Sequence, residues 1–146
     1  MVNASYVGRT YPPTPAYEVG REKLREFAQA TGMHPVHVDA QAARALGYPD
    51  VIAPPTFAVV IAQRCERQLV LDPDAGIDYS RVVHGEQSFR HHRPIVAGDR
   101  LVAVLHVDGV RSAGGHAMVT TRSEIATEGG EPVCTVSSTI VVRGDS

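Results

Sequence analysis

Residues 53–62 read Ala53-Pro54-Pro55-Thr56-Phe57-Ala58-Val59-Val60-Ile61-Ala62, and Gln63-Arg64-Cys65-Glu66-Arg67-Gln68-Leu69 follow. Phe57, Val60, Ile61, Cys65 and Leu69 recur at steps of three and four, the helical period. The two prolines suit a first turn, whose amides have no helical partner to lose. The pattern predicts a helix opening at Pro54-Pro55. Up to Ala62 it is apolar all round, as in a helix buried on every side.

Either side of this stretch the periodicity differs. Residues 17–19 suit a short first strand, and 21–31 a helix with Leu24, Phe27 and Ala28 on one face and Gly32 as its stop. Residues 32–38 read as a loop, and Asp39 as the N-cap of a short helix over 40–46, closed by Gly47. From residue 79 the pattern is that of strands, predicted over 81–93, 101–110, 117–127 and 133–143. The last alternates most cleanly, with Cys134, Val136, Ile140 and Val142 on one face and Thr135, Ser137 and Thr139 on the other. Turns at 112–115 and 128–131 make the last three strands an antiparallel meander. Helices followed by an antiparallel sheet define an α+β chain, expected to wrap its sheet around the central helix.

Size and charge narrow the classes. A chain of 146 residues, 43% hydrophobic, suits one domain over 1–146 with a real core. Net charge is −2 with no basic block, so neither nucleic acid nor an anionic membrane finds electrostatic support. No apolar run reaches membrane-spanning length and the first ten residues lack a signal pattern, so a cytoplasmic protein is expected. Cys65 and Cys134 are expected to be reduced and buried.

Four segments carry a resemblance across nearly the whole chain: residues 17–28 beginning Tyr17-Glu18-Val19-Gly20, residues 47–57 with Ala53-Pro54-Pro55-Thr56-Phe57, Val83-His84-Gly85-Glu86-Gln87, and Arg93-Pro94-Ile95-Val96-Ala97-Gly98-Asp99. The chain resembles the MaoC-type single hot-dog proteins, the family of R-specific enoyl-thioester hydratases and 3-hydroxyacyl-thioester dehydratases. Within that family it is most similar to small actinobacterial members, including the non-catalytic subunits of the mycolic-acid dehydratases. The resemblance implies a central helix wrapped by about five strands and a dimer, with itself or with a second hot-dog protein. It also implies an acyl-CoA or acyl-carrier-protein thioester as ligand, with no cofactor and no metal.

Active family members resemble one another in Gly-Asp, any residue, Asn-Pro, an aliphatic residue and His. The Asp and His move protons at C2 and C3, each worth roughly 10²–10⁴-fold. Here Pro35-Val36-His37 match and make His37 the candidate base. His34 stands where Asn is usual; without a gap Gly32 stands at the Asp position, and with a gap the Asp is deleted, so neither reading supplies a carboxylate. His34 and Asp39 are the weaker candidates to replace that carboxylate, Asp39 reading first as a helix cap. Where the family carries His-Gly this chain has Pro54-Pro55, and proline has no N–H for the thioester oxygen. The resemblance places the acyl group along Pro55, Thr56, Phe57, Val60 and Ile61. His84, His91, His92, Tyr48, Asp50 and Arg93 read as structural.

Three functions are consistent with this pattern. The chain is a hydratase or dehydratase with a degenerate Asp/His site, a non-catalytic acyl-binding subunit of a heterodimeric dehydratase, or a repurposed hot dog such as a thioesterase or conjugate-addition catalyst. His37 favours the first; the absent Asp and Pro54-Pro55 favour the second.

Overall fold

The computed structural model describes residues 1–145. Its strands are β1 (Tyr17–Glu18), β2 (Val82–His91), β3 (Arg100–Ala113), β4 (His116–Thr127) and β5 (Pro132–Val142). They form one sheet in the order β1-β3-β4-β5-β2, every neighbouring pair antiparallel. Gly114 and Gly115, at φ +58° and +82°, make the tight β3–β4 reversal that a side chain would oppose.

The helices precede and cross the sheet: α1 (Arg21–Thr31), α2 (Pro35–Val38), α3 (Ala40–Ala45) and α4 (Ala58–Val70). Ala58, Ile61, Ala62, Cys65 and Leu69 of α4 bury their stripe against the concave face of β3, β4 and β5. The sheet answers with Leu101, Ala103, Leu105 and Val107, then Val119 and Ile125, then Cys134, Val136 and Ile140. Phe57, fully buried before α4, meets Phe27 edge-on at 5.3 Å and Tyr17 at 6.3 Å. Burial of that one ring contributes roughly 1.5–3 kcal/mol.

The two sheet edges differ. Residues 8–14 run along the outer side of β3, bonding through Gly8 N to Val107 O, Tyr11 N to Leu105 O and Thr14 N to Ala103 O. Tyr6 and Tyr11 donate their hydroxyls to Asp72 just after α4, at 3.1 and 2.8 Å, which clasps this segment down. β2, at the other edge, pairs only with β5.

Three expectations need correction. α4 begins at Ala58 rather than at the prolines, because Phe57 N bonds Pro54 O and Val59 N bonds Thr56 O in a run of tight turns. Its first half is not buried all round: Val59 and Val60 are half-buried, since the sheet covers only one side. The stretch 32–38 contains the one-turn helix α2, opened by Pro35 at its first position. The meander, the short helix after Asp39 and the alternation in β5 agree with the reading to within a few residues. Cys65 and Cys134 are free and buried, and burial pushes both thiols up to about 11. No helix among the described residues is long and apolar enough to cross a membrane.

Candidate functional site

His37 lies on α2, and α2 is tied down at both ends. Val36 O accepts from Ile52 N at 3.1 Å, and Val38 O accepts from Arg25 at 3.0 Å. The adjoining segment 51–53 is itself held in two-sided pairing, with Ala53 N on Ile95 O at 2.7 Å and Ala97 N on Val51 O at 3.0 Å. Ion pairs brace each side of that pairing. Arg21 grips Asp50 through two bonds of 2.9 and 2.6 Å and holds its carboxyl below the usual range, while Asp50 accepts from Val51 N. Arg93 grips Asp99 at 2.9 and 3.0 Å, and Asp99 accepts from Val96 N.

The His37 ring is therefore presented from a rigid frame. It is 9% exposed, and Nδ1 lies 2.8 Å from Ile52 O. A carbonyl only accepts, so Nδ1 carries the proton, and in the neutral ring the lone pair is on Nε2. This is the tautomer a general base needs.

Among the described residues no acid is hydrogen-bonded to it. Asp39 accepts from Gln41 N at 2.9 Å and caps α3. His34 accepts from Val36 N at 3.2 Å and caps α2, its ring 6.0 Å from that of His37. Both weaker candidates thus have local structural work that their sequence positions explain. Gly32 ends α1 with φ +149°, its N–H on Ala28 O, a conformation that disfavours any side chain. No group of three or more His, Cys, Asp or Glu among the described residues is arranged to hold a metal.

The residues expected to meet the acyl group separate. Pro55 and Thr56 are exposed in the turn before α4, Val60 is half-buried, and Phe57 and Ile61 lie inside the core. Pro54 and Pro55 offer no amide, so Thr56 N–H is the first donor after them. His91 holds this turn: its Nε2–H donates to Pro55 O at 2.7 Å, and its ring stacks on Phe89 at 6.2 Å. From sequence alone His91 reads as structural, and its link to Pro55 is not visible there. Inward alternation along β2 was its only available signal, and a bulge at Gly85 obscures it. His91 and His92 do point opposite ways, His92 lying 3.5 Å from Thr135 Oγ1 on the other face.

A helix lying in a curled antiparallel sheet, with a histidine presented beside the helix start, defines the hot-dog dehydratase class. The chain belongs to the MaoC-like, FAS1-type dehydratase family: residues 5–136 match the model described as "FAS1-like, dehydratase domain region". It is 59% identical to a UPF0336 protein of Saccharopolyspora erythraea over 98% of this chain and 92% of that one. To a UPF0336 protein of Streptomyces griseus it is 54% identical over 97% and 95%. Among solved structures it is similar to a MaoC-like dehydratase, with TM-score 0.87 and 37% identity over 96% of this chain. It spans only 43% of that longer chain. It is also similar to the HadBC (3R-hydroxyacyl-ACP dehydratase) complex of Mycobacterium tuberculosis, with TM-score 0.83 and 33% identity over 93% of this chain and 96% of that chain.

Proposed function

We propose that this chain is the acyl-binding subunit of a heterodimeric (3R)-hydroxyacyl-thioester dehydratase whose partner hot dog supplies the acid/base pair. One observation carries the reading: the loop before His37 supplies no carboxylate, and Gly32, the ungapped position of the reacting Asp, is held at φ +149° as the stop of α1. Dehydration removes a proton from C2 and protonates the departing C3 hydroxyl, and hydration reverses both. One imidazole without an acid serves such a reaction poorly, since each positioned group is worth roughly 10²–10⁴-fold. The likeness to the HadBC complex over nearly the full chain supports the same reading. β2 supports it from the fold, because its outer edge offers a ten-residue strand to a second sheet while β3 is already covered.

A second reading rests on His37 itself. Its fixed Nδ1–H leaves Nε2 free to take the C2 proton, so the chain contributes a base of its own. In both readings the ligand is a fatty acyl or polyketide chain on CoA or acyl carrier protein.

The test is hydration of trans-2-enoyl thioesters, followed by loss of enoyl absorbance. The purified protein is assayed alone and mixed with a second hot-dog protein of the same cell that carries an intact Asp/His motif. The mixture is expected to exceed the isolated chain by at least about 10²-fold. Full turnover by the chain alone refutes the subunit reading.

A further inference from the structure

Residues 143–145 leave the end of β5 and lie against the β3–β4 hairpin. Arg143 N donates to Arg81 O at 3.0 Å, and Gly144 N donates to Nδ1 of His116 at 3.0 Å. Beyond Arg143, that is the one hydrogen bond a backbone group makes among the described residues. Gly144 sits directly on the hairpin turn. A Cβ there would collide with Gly115 O, so a glycine is what brings this amide up to the ring.

His116 opens β4 opposite Ala113 of β3, and it is exposed to solvent. A ring nitrogen that accepts must keep its lone pair, so this bond exists only in the neutral ring with its proton on Nε2. Histidine is the side chain that ordinarily changes charge between pH 5 and 8. Once the ring is protonated, Nδ1–H and Gly144 N–H are two donors facing each other. The charged groups nearby offer the new cation no free carboxylate. Arg81 and Arg143 line the same hollow of about 570 Å³ as His116, Gly144 and Asp145. Arg111 stands diagonal to His116 on the same face of the hairpin, and Met1 lines the adjoining hollow. Asp145 is paired with Arg81 at 2.6 Å, and Asp78 lies 3.5 Å from Arg81 while accepting from Ser80. The Arg81–Asp145 pair holds the segment weakly, because the Asp145 side chain is 91% exposed and its charge is screened by water.

We propose that His116 and Gly144 form a pH-gated latch: the neutral ring holds residues 144 and 145 against the hairpin, and the protonated ring releases them. Opening takes up one proton from solvent and breaks no covalent bond. Arg143 N keeps its bond to Arg81 O in both states, because that bond does not involve the ring. Release takes the Asp145 carboxylate away from Arg81, just ahead of β2, and leaves the hollow lined by Arg81, Arg143 and a charged His116. The latch lies at the opposite end of β2 from His91, so it stands independently of the acyl-binding reading.

The test is nuclear magnetic resonance on the nitrogen-15-labelled full chain, which needs neither partner nor turnover. Ring nitrogen shifts are expected to show the Nε2–H tautomer of His116 at pH 7.5. At that pH the Gly144 amide should exchange with solvent about three- to tenfold more slowly than in His116→Ala, the ratio an ordinary hydrogen bond produces. At pH 5 the two proteins should exchange alike. His116→Asn supplies an oxygen near the place of Nδ1 that accepts and does not titrate, so its Gly144 amide should stay slow at both pH values. Asp145→Asn should leave the pH dependence in place. An Nδ1–H tautomer at pH 7.5, equal exchange in the parent and His116→Ala at that pH, or slow exchange that persists with the ring doubly protonated overturns the inference. Loss of the pH dependence in Asp145→Asn also overturns it, by making the ion pair the latch.

Discussion

Replacing His37 by asparagine separates the structural from the chemical use of the ring. An asparagine amide places an N–H close to where Nδ1–H sits, so the bond to Ile52 O is retained, whereas nothing replaces Nε2. His37→Ala removes both. The lost bond and the unpaired Ile52 carbonyl cost about 1–3 kcal/mol. For a domain of this size each kcal/mol moves the melting temperature by about 2–4 °C. The expectation is thus a drop of roughly 2–12 °C for alanine and under about 2 °C for asparagine, read by calorimetry. If the partner subunit supplies the acid/base pair, the reconstituted complex carrying His37→Asn dehydrates at close to the parent rate. A fall of about 10²-fold or more at unchanged melting temperature refutes that reasoning and makes His37 the base. Equal destabilisation by asparagine and alanine refutes the structural half, because the Ile52 bond would then not be what holds the ring.

Gly32→Asp places a carboxylate at the aligned position but forces it to φ +149°, so it is expected to cost about 1–3 kcal/mol of stability and to give the isolated chain no hydratase activity. Glu66 has a folded pKa above its ordinary 4.5, chiefly from burial. The neutral form is therefore favoured on folding, and its contribution, full below pH 4.5, is lost as pH rises through the raised value. Glu66→Gln should accordingly gain stability over the parent as pH increases from 4 to 8, measured by urea melts; a constant difference across that range contradicts the burial argument. Asp72 is the opposite case, held below the ordinary 3.8 first by the Tyr11 hydroxyl and then by Asp74 N–H and Tyr6, against the opposing effect of burial. Asp72→Ala should lower the melting temperature near neutral pH and speed proteolysis within residues 1–14, with the stability deficit shrinking as pH falls through the folded pKa.

The parts of the fold that follow from local rules were legible in the chain. Alternation in β5, glycine turns and Asp39 as a cap are decided within a few residues, so their sequence is enough. The start of α4 was not. Proline fits both a first helical turn and the tight turn that precedes one, and only the bond from Phe57 N to Pro54 O distinguishes them. Nor was the exposure of Val59 and Val60 readable, because an all-apolar stretch does not say whether its second face is covered by the same chain. The site shows the same division. The absence of a carboxylate from the loop before His37 is visible in sequence, and the structure adds the positive φ of Gly32. The anchoring of His37 to Ile52 and of His91 to Pro55 depends on contacts fifteen and thirty-six residues apart, beyond any local pattern.

Glu66 illustrates the physical reason most directly. In sequence it sits between Cys65 and Arg67 at the point where α4 turns polar, and reads as part of a solvated face. In space the side chain leaves that face and reaches the sheet, where Thr121 and Ser138 meet it. Neither residue signals this alone, since Thr and Ser are ordinary in strands. The signal is the coincidence of three inward polar positions at one level of three adjacent strands. That level is set by the β2–β5 register, and the register is shifted at Gly85. A one-residue bulge thus decides which β2 side chains face α4. Ahead of α4 the chain carries Gly32 at the ungapped carboxylate position and Pro54-Pro55 at the helix approach, while further along the same helix Glu66 is buried against Thr121 of the sheet. The first of these supports the proposal that the chain holds the acyl group while another subunit performs the chemistry.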